Sequence, residues 1–348
     1  MKKTLHIVAT TTSPMHTAFP GGAVKAPNGE LIQKTNVKAV SGQNTACHPS
    51  NGFRGALRRK AADRIMAVLS SRGEKLSAEV YNGLRGGASS AQPDTASNSI
   101  EEMVRAGEHA YMGLFGGGSR VLPSKYSVQD LDIICQHNVA AGVVSAPMDM
   151  IEEVLGEQTL TVEGEVVDKK PYHYLERAFF THVDDVKRGV SAEYIENVIE
   201  GGFETLQEYA DGVKASSEKR KEDSSAKKTD VGNVVSIERI KTGTPVAMRF
   251  DFDEDTTDAQ IGLLLLGLKD MFDTNRIGGY GRNGYGRLRV DAVCFNSDGE
   301  SIKQSEGLYD GEAFRFGEDF AFYEEAALEA LQDIDKDEIV GFFTRLGK

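Results

Sequence analysis

Two segments of this chain combine arginine with glycine, a pairing suited to contact with phosphate groups. The first, residues 50–59, reads SNGFRGALRR. Glycines let main-chain N–H groups approach phosphate oxygens, and the start of a helix adds partial positive charge. Arginine side chains hold a nucleic-acid backbone without reading its sequence. The residues expected to make this contact are Ser50, Asn51, Gly52, Phe53, Arg54, Arg58 and Arg59.

The second segment is a glycine-dense loop, residues 277–287, with the sequence IGGYGRNGYGR. Its glycines remove side-chain bulk, so a nucleic-acid strand has room to lie against the backbone. Arginines supply positive charge, and tyrosine rings can stack on bases. A turn that only packs a helix against a strand is the alternative interpretation. The residues assigned to this contact are Arg276, Gly278, Gly279, Tyr280, Gly281, Arg282, Gly284, Tyr285, Gly286 and Arg287.

Two other spacings resemble known binding motifs but lie in the wrong context. Gly279, Gly281 and Gly284 match the dinucleotide pattern G-x-G-x-x-G. That pattern requires a strand before it and a helix after it, whereas here a helix precedes and a strand follows. The acidic run 251–255 begins like a calcium loop but lacks the glycine and the glutamate that such a loop needs further on.

Signatures of hydrolases and of metal centres are missing from the sequence. No G-x-S-x-G, H-E-x-x-H or P-loop pattern occurs, and the seven histidines are dispersed. The three cysteines, Cys47, Cys135 and Cys294, fit neither a disulfide framework nor a zinc site. Cys47 beside His48 is at most half of a metal site, and a buried thiol is the simpler interpretation. We expect no cofactor, no metal and no catalytic residue.

Charge is distributed unevenly along the chain. The net charge is -13, yet residues 1–150 carry 16 basic side chains against 11 acidic ones. In residues 1–72, eleven basic side chains face only Glu30 and Asp63. Such asymmetry indicates a surface that binds a polyanion in the basic region. The acidic side chains of the other region would face solvent or a partner. Because neither a secretion signal nor a membrane-length apolar stretch is present, we expect a cytoplasmic protein.

The elements that position these segments are strands and helices in no regular repeat. Residues 12–51 are polar and rich in glycine and proline, which predicts a long functional loop. Residues 86–99 predict a flexible loop, and residues 211–230 a mobile segment. Hydrophobic periodicity predicts strands at 4–11, 234–239, 246–252 and 288–295, and helices at about 57–69, 191–206, 261–272 and from 321 onward.

Five segments, taken in order, resemble motifs of one protein family. Residues 50–59 resemble the G-S-S-L-R-G-A-L-R start of the first helix in the repeat-associated (RAMP) CRISPR proteins, and Gly113-Leu114-Phe115-Gly116 resembles their L-F-G signature. Residues 183–189 and 237–243 are similar to elements that open the thumb and return from it, and residues 277–287 resemble the glycine-rich loop. Their order is similar to that of the backbone subunit of CRISPR effector complexes, most like the type IV version.

The resemblance implies an α+β fold, a modified ferredoxin-like (RRM-like) palm with thumb and finger insertions. Residues 1–348 would form a single RAMP-like domain. Its parts would be a palm from 1–20, 50–85 and 240–300, finger or insert loops at 12–50 and 86–180, a thumb at about 180–237, and a C-terminal acidic helical segment at 318–348.

The resemblance also implies a non-catalytic, RNA-binding role in antiviral or anti-plasmid defence. Such subunits stack head-to-tail along guide CRISPR RNA, since a heterologous interface propagates instead of closing. The guide pairs with target DNA or RNA, while the protein recognises backbone and shape. Lys187 and Arg188 would also bind RNA, with His16 and Lys25 as further candidates. Other effector subunits, such as a helicase or nuclease, would complete the ribonucleoprotein complex, and no membrane partner is expected.

Two alternative functions stay open at this point. A metal-dependent ribonuclease of the same superfamily would need an acid in residues 10–50, where Glu30 is the only one, or His16 as general base on precursor RNA. The second alternative is a protein-protein scaffold that binds no nucleic acid, in which the basic region would have no binding role. Cleavage that is lost on Glu30→Ala or His16→Ala distinguishes the enzyme, and lack of RNA binding at moderate salt distinguishes the scaffold.

Overall fold

The structure, a computed structural model, has an α+β fold, as predicted. The predicted helix at 191–206 and the predicted mobile segment 211–230 fall largely or wholly outside the described residues, as do most of loop 86–99 and Glu30, Lys187 and Arg188. The structure describes residues 3–26, 31–87, 99–119, 121–156, 158–162, 165–181, 203–205, 207–208, 234–274, 276–297, 299–310 and 313–344.

Strands and helices alternate irregularly along the described chain. The strands are β1 (Lys3–Thr11), β2 (Ala18–Lys25), β3 (Leu31–Thr35), β4 (Val37–Val40), β5 (Gln43–His48), β6 (Tyr126–Val128), β7 (Leu131–Ile133), β8 (Thr159–Val162), β9 (Glu165–Asp168), β10 (Leu175–Thr181), β11 (Val234–Ile240), β12 (Pro245–Phe252), β13 (Leu288–Ser297), β14 (Glu300–Gln304), β15 (Tyr309–Asp310) and β16 (Ala313–Phe314). The helices are α1 (Ser50–Ser71), α2 (Ala78–Gly86), α3 (Ile100–Glu108), α4 (Ala110–Phe115), α5 (Gln136–Ala140), α6 (Met148–Leu155), α7 (Asp258–Thr274), α8 (Ala321–Gln332) and α9 (Lys336–Phe343), and 3₁₀ turns span Pro171–Tyr174, Gly281–Asn283 and Glu318–Phe320.

The main sheet is centred on β1, which pairs antiparallel with β12 on one side and β13 on the other. Its order is β14-β13-β1-β12-β7-β5-β4, with β6 also pairing β12. Leu5 and Ile7 lie in the larger hydrophobic core on one face of the sheet, while Val8 lies in a smaller core with Ile151 of α6. Burial on both faces explains why β1 reads as an almost continuous apolar run.

Helices α1 and α7 bury their apolar residues in the larger core. In α1 the residues Leu57, Ala61, Ile65 and Leu69 recur every four positions and are buried, as the helical spacing predicted, and Phe53 extends the same stripe. The α7 sequence IGLLLLGL is buried around its whole circumference, because α1 and α8 both pack against it. The predicted helices at about 57–69 and 261–272 are confirmed, and both begin a few residues earlier than their apolar patterns do.

The segment 12–51, predicted as a loop, instead contains the four strands β2 to β5. The prediction failed because these strands are short and β2 is largely exposed, so its sequence AFPGGAVK lacks a buried face. Its glycines and proline favour turns when local sequence alone is considered. Strand β5 joins the main sheet by pairing antiparallel with β7, and it leads directly into α1.

The chain divides into two compact units. The first consists of residues 1–22, 34–176 and 238–348, and holds the main sheet and both cores. The second consists of residues 23–33 and 177–237. Within it, β11 runs parallel to β3, with Ser236 opposite Ile32. No helix within the described residues is long and apolar enough to cross a membrane.

The acidic C-terminal segment is an integral part of the first unit. Helix α8 crosses α7 at Gly262, where a Cβ atom would lie 1.8 Å from the carbonyl oxygen of Tyr323. The ring of Phe343 in α9 packs directly on Gly83 of α2. The backbones therefore approach so closely that only glycine fits, and the C-terminal helices complete the core.

Substitution of Gly262 tests this packing. Gly262→Ala is expected to lower the free energy of unfolding by about 3 kcal/mol or more, because the new methyl group must displace the main chain of α8. Gly341→Ala is the control, since that exposed helical position has no atom within 4 Å of the new Cβ. It should leave stability unchanged or raise it by about 0.5–1 kcal/mol. Urea denaturation measures both, and equal stability of the two variants would contradict the packing.

Candidate nucleic-acid interface

One flank of α1 lines a pocket of about 310 Å³. The lining positions on α1 recur at helical spacing, so they face the same way while the opposite stripe is buried. Strand β6 and the end of α2 supply the other walls. The lining residues are Asn51, Arg54, Gly55, Arg58, Arg59, Arg85, Gly86 and Tyr126.

Arg54 and Arg58 are held in place by neutral acceptors and aromatic rings. Arg54 donates to the hydroxyl of Ser124 at 3.0 Å, and its guanidinium carbon lies 5.4 Å from the centre of the Tyr126 ring. Arg58 donates to the carbonyl oxygens of Phe115 and of Gly116, the latter at 3.0 Å. The segments GALRR and L-F-G, separate in the sequence, are therefore joined by Arg58, which caps the end of α4.

Arg59 and Arg85 complete the cluster of guanidinium groups. Arg85 pairs with Asp63 and lies over the ring of Tyr81 at 5.8 Å. Arg59 is exposed and has no hydrogen bond or ion pair to any described residue. Four arginines thus line the pocket. In the described part of the chain one of them, Arg85, has a carboxylate partner, which is Asp63. Sequence analysis missed Arg85, because it lies outside the motif and only the packing of α2 brings it near.

The start of α1 does not have the role predicted for it. The main-chain N–H of Ser50 donates to Asp130 Oδ1 at 2.9 Å, so a carboxylate already occupies this end of the helix. Lys38 pairs with the neighbouring Asp132 at 2.6 Å, and burial raises the pKa of Asp132 to about 6. The position of Asp130 disfavours the expected phosphate contact at Ser50, since a carboxylate repels a phosphate.

The side chain of Phe53 also differs from the prediction. It is buried in the core, with its ring centre 5.9 Å from that of Phe250. Phe53 belongs to the apolar stripe of α1, so its ring cannot reach a base. Asn51, Gly52 and Arg59 are the exposed members of this segment, and Arg54 and Arg58 are half-buried.

The glycine-rich loop is fixed to the segment that follows β1. Gly279 N donates to His16 O at 2.8 Å, and Gly286 N donates to Pro14 O at 2.9 Å. The loop also closes on itself, from Ile277 N to Gly286 O at 2.9 Å. Gly286 has φ +81°, and a Cβ there would lie 1.9 Å from Ile277 O. Glycine at this position is therefore required by the loop closure itself.

The two tyrosines of the loop have different environments. Tyr285 is buried, and its hydroxyl accepts a hydrogen bond from Arg239, whose guanidinium lies over the ring at 5.1 Å. The burial of Tyr285 disfavours the predicted stacking of its ring on a base. Tyr280 is partly exposed, and its ring meets that of His16 edge-on at 5.3 Å.

The arginines of the loop face solvent. Arg276, Arg282 and Arg287 are all exposed, and none of their side chains forms an ion pair with a described residue. Gly278 and Gly284 also take positive φ angles, while Gly281 begins the 3₁₀ turn. The loop thus presents, on a constrained backbone, three cations without an ion-pair partner among the described residues.

Residues 16–17 and His48 connect the two predicted segments. The Thr17 hydroxyl is hydrogen-bonded to His48 Nδ1 at 2.6 Å, and a Cβ on Gly52 would lie 3.0 Å from His48 Nε2. His16 in turn contacts Gly279 of the loop. Burial lowers the pKa of His48 to about 4, so its ring is neutral at pH 7. Sequence analysis treated His48 as an isolated histidine and missed this connection.

The two further candidates, His16 and Lys25, are placed differently. His16 is 1% exposed, and its Nδ1 donates to Glu238 O at 2.7 Å. A substrate hydroxyl has no access to this ring in the structure. Lys25 is exposed at the end of β2, in the second unit. Among the described residues, no group of three potential ligands lies close enough to hold a metal ion.

Comparison with solved structures finds similar chains. No protein-family model matches the chain, and no curated protein does. A solved chain titled "Type IV-B CRISPR Complex" is similar, at 14% sequence identity and a TM-score of 0.42. The match covers 88% of this chain and 93% of that one. A similarity at this level carries no argument about function, which depends on the residues themselves.

Replacement of Arg58 tests its capping role. Arg58→Met keeps the apolar stem and the helix propensity but leaves two carbonyl oxygens without their donor. We expect a loss of about 2 kcal/mol in the free energy of unfolding. Arg59→Met is the matched control, and it should change stability by no more than about 0.5 kcal/mol. If urea denaturation gave the same value for both variants, Arg58 would not support α4.

Proposed function

We propose that this chain is an RNA-binding subunit of a CRISPR effector complex that holds guide RNA through its phosphate backbone. The arginine pocket is the observation that carries the proposal. Among the described residues its four guanidinium groups have one carboxylate partner, so this part of the chain gives the pocket an excess of positive charge even though the net charge is -13. Phosphate groups match the fork of a guanidinium in both charge and geometry.

The glycine-rich loop supports the same function. Its exposed arginines, together with those of the pocket, provide several phosphate contacts, and Tyr280 is the one partly exposed ring among the described residues of the loop. Several contacts to phosphate and few to bases produce binding that does not depend on sequence. Sequence selection would then belong to base pairing by the guide.

The strand order supports a ferredoxin-like palm. In chain order β1, β7, β12 and β13 occupy the sheet order β13-β1-β12-β7, with each neighbouring pair antiparallel. Helix α1 lies between β1 and β7 in sequence, and α7 lies between β12 and β13. This is the arrangement expected for two interleaved β-α-β units, the pattern that the RAMP resemblance implies.

The proposal includes a non-catalytic role and assembly with other subunits. His16 is buried and hydrogen-bonded to the main chain, which disfavours it as a general base. Copies of the chain would stack head-to-tail along the RNA, and other effector subunits, such as a helicase or nuclease, would act on the target. Incubation of the protein with guide and matched target, with and without Mg²⁺, should leave both strands intact.

Co-purification tests RNA binding directly. Protein expressed in bacteria should elute in size exclusion as a large species with a high ratio of absorbance at 260 nm to that at 280 nm. Ribonuclease treatment should shift it to the size of the free subunit. A nucleic-acid-free monomer at low salt would instead favour a protein-protein scaffold.

Substitutions in the pocket locate the contact. Arg54→Gln with Arg59→Gln should weaken binding of a 30-nucleotide RNA at least about tenfold at 0.15 M salt and lower the slope of log K against log salt by one to two. Arg64→Gln removes an arginine from the same helix that is already paired with Asp270 at 2.6 Å. This control should bind RNA within about twofold of the wild type, and equal losses in both variants would refute the pocket as the contact.

A further inference from the structure

The 3₁₀ turn Pro171–Tyr174 forms a second cationic surface in the first unit. Sequence analysis assigned no role to it. We call it the tyrosine-lysine platform. Its members are Lys169, Lys170, Tyr172, His173 and Lys241.

Two aromatic rings form the centre of the platform. Tyr172 is 62% exposed, and its ring centre lies 4.2 Å from that of His173. Pro171 is buried at the start of the turn, and Lys170 N donates to His173 Nδ1 at 2.9 Å. Because that nitrogen accepts a hydrogen bond, His173 is a neutral ring held in a fixed orientation. A large exposed tyrosine is thus supported from one side by a second ring.

Within the described residues, the lysines around these rings have no carboxylate partners. Lys241 donates to His173 O at 2.7 Å, and Lys169 donates to the side-chain oxygen of Gln158 at 3.1 Å. No ion pair joins Lys169, Lys170 or Lys241 to a carboxylate of the described residues. Partial burial and these same three lysines lower the pKa of His173. Three positive charges are therefore concentrated beside the ring pair.

A small pocket opens between the lysines. Its volume is about 190 Å³, and the turn 241–244 forms one wall. Tyr174 lines it and is almost fully buried, yet its hydroxyl has no hydrogen-bond partner within the described residues. A buried hydroxyl without a partner is unusual in a folded protein.

We propose that the tyrosine-lysine platform binds single-stranded nucleic acid, with one base stacked on Tyr172 and the adjoining phosphates at the lysines. An exposed ring beside unpaired cations is the combination that such strands require, because every base offers a π-face and every linkage a negative charge. An acidic peptide would use the lysines alone and leave the ring without a function. The platform adds a second contact to the one proposed at the arginine pocket.

Anisotropy with a fluorescein-labelled 12-nucleotide oligouridine tests the platform. The Arg54→Gln and Arg59→Gln background removes binding at the arginine pocket. In that background Tyr172→Ala should weaken binding about 5- to 100-fold, and Tyr172→Phe, which keeps the ring, should stay within about twofold. Phe322→Ala is the matched control, since Phe322 is also 62% exposed but precedes Glu324 and Glu325. It should have no effect.

Crosslinking with 4-thiouridine in the oligonucleotide gives an independent readout. The expected crosslinked peptide contains Tyr172. Equal affinity of the Tyr172→Ala and Phe322→Ala variants, or displacement of the probe by polyglutamate with no effect of Tyr172→Ala, would overturn the proposal. If no RNA co-purifies with the wild type but the oligonucleotide still crosslinks at Tyr172, the proposed guide binding fails and the platform stands.

Discussion

The helical period of α1 determines where the positive charge of this protein can lie. Its stripe from Phe53 to Leu69 is buried against the sheet and α7, which fixes the rotation of the helix about its axis. Arg54, Arg58 and Arg59 are thereby directed to the flank that faces α2 and β6. The arginine pocket thus results from the packing of the hydrophobic core on the opposite stripe.

The hydrogen-bond acceptors that hold these arginines are neutral, so the positive charge of the arginines can still attract an anion. A carboxylate beside each arginine would fix its position equally well but would cancel its attraction for an anion. Arg54 and Arg58 are instead oriented by a hydroxyl, two carbonyls and two aromatic rings. The guanidinium groups are held close together at an electrostatic cost that an added phosphate would relieve. The excess of acidic residues lies elsewhere in the sequence, so the negative net charge of the chain does not prevent the pocket from attracting a phosphate.

The sequence was informative where periodicity is strong and local. Strand β1, helices α1 and α7, and strands β12 and β13 were predicted because their apolar residues repeat with a clear period. The strands β2 to β5 were missed because pairing with distant strands, as between β5 and β7, stabilises them against their local preferences.

Only part of the candidate site could be predicted, because tertiary packing decides which of its side chains are exposed. The arginines are recognisable from composition, but the burial of Phe53 and Tyr285 is decided by packing that no neighbouring residue indicates. The contact between Ser50 and Asp130 spans 80 positions, and Arg85 enters the pocket only because α2 folds back along α1. The sequence motifs therefore indicated where the candidate site lies, whereas tertiary contacts determine which of its side chains are exposed.

A cryo-electron microscopy map of the protein bound to RNA would show whether phosphate groups occupy the arginine pocket. Phosphate oxygens should lie within about 2.7–2.9 Å of guanidinium nitrogens of Arg54 and Arg59. RNA traced along another surface, with the pocket filled only by solvent, would contradict the proposed phosphate contact.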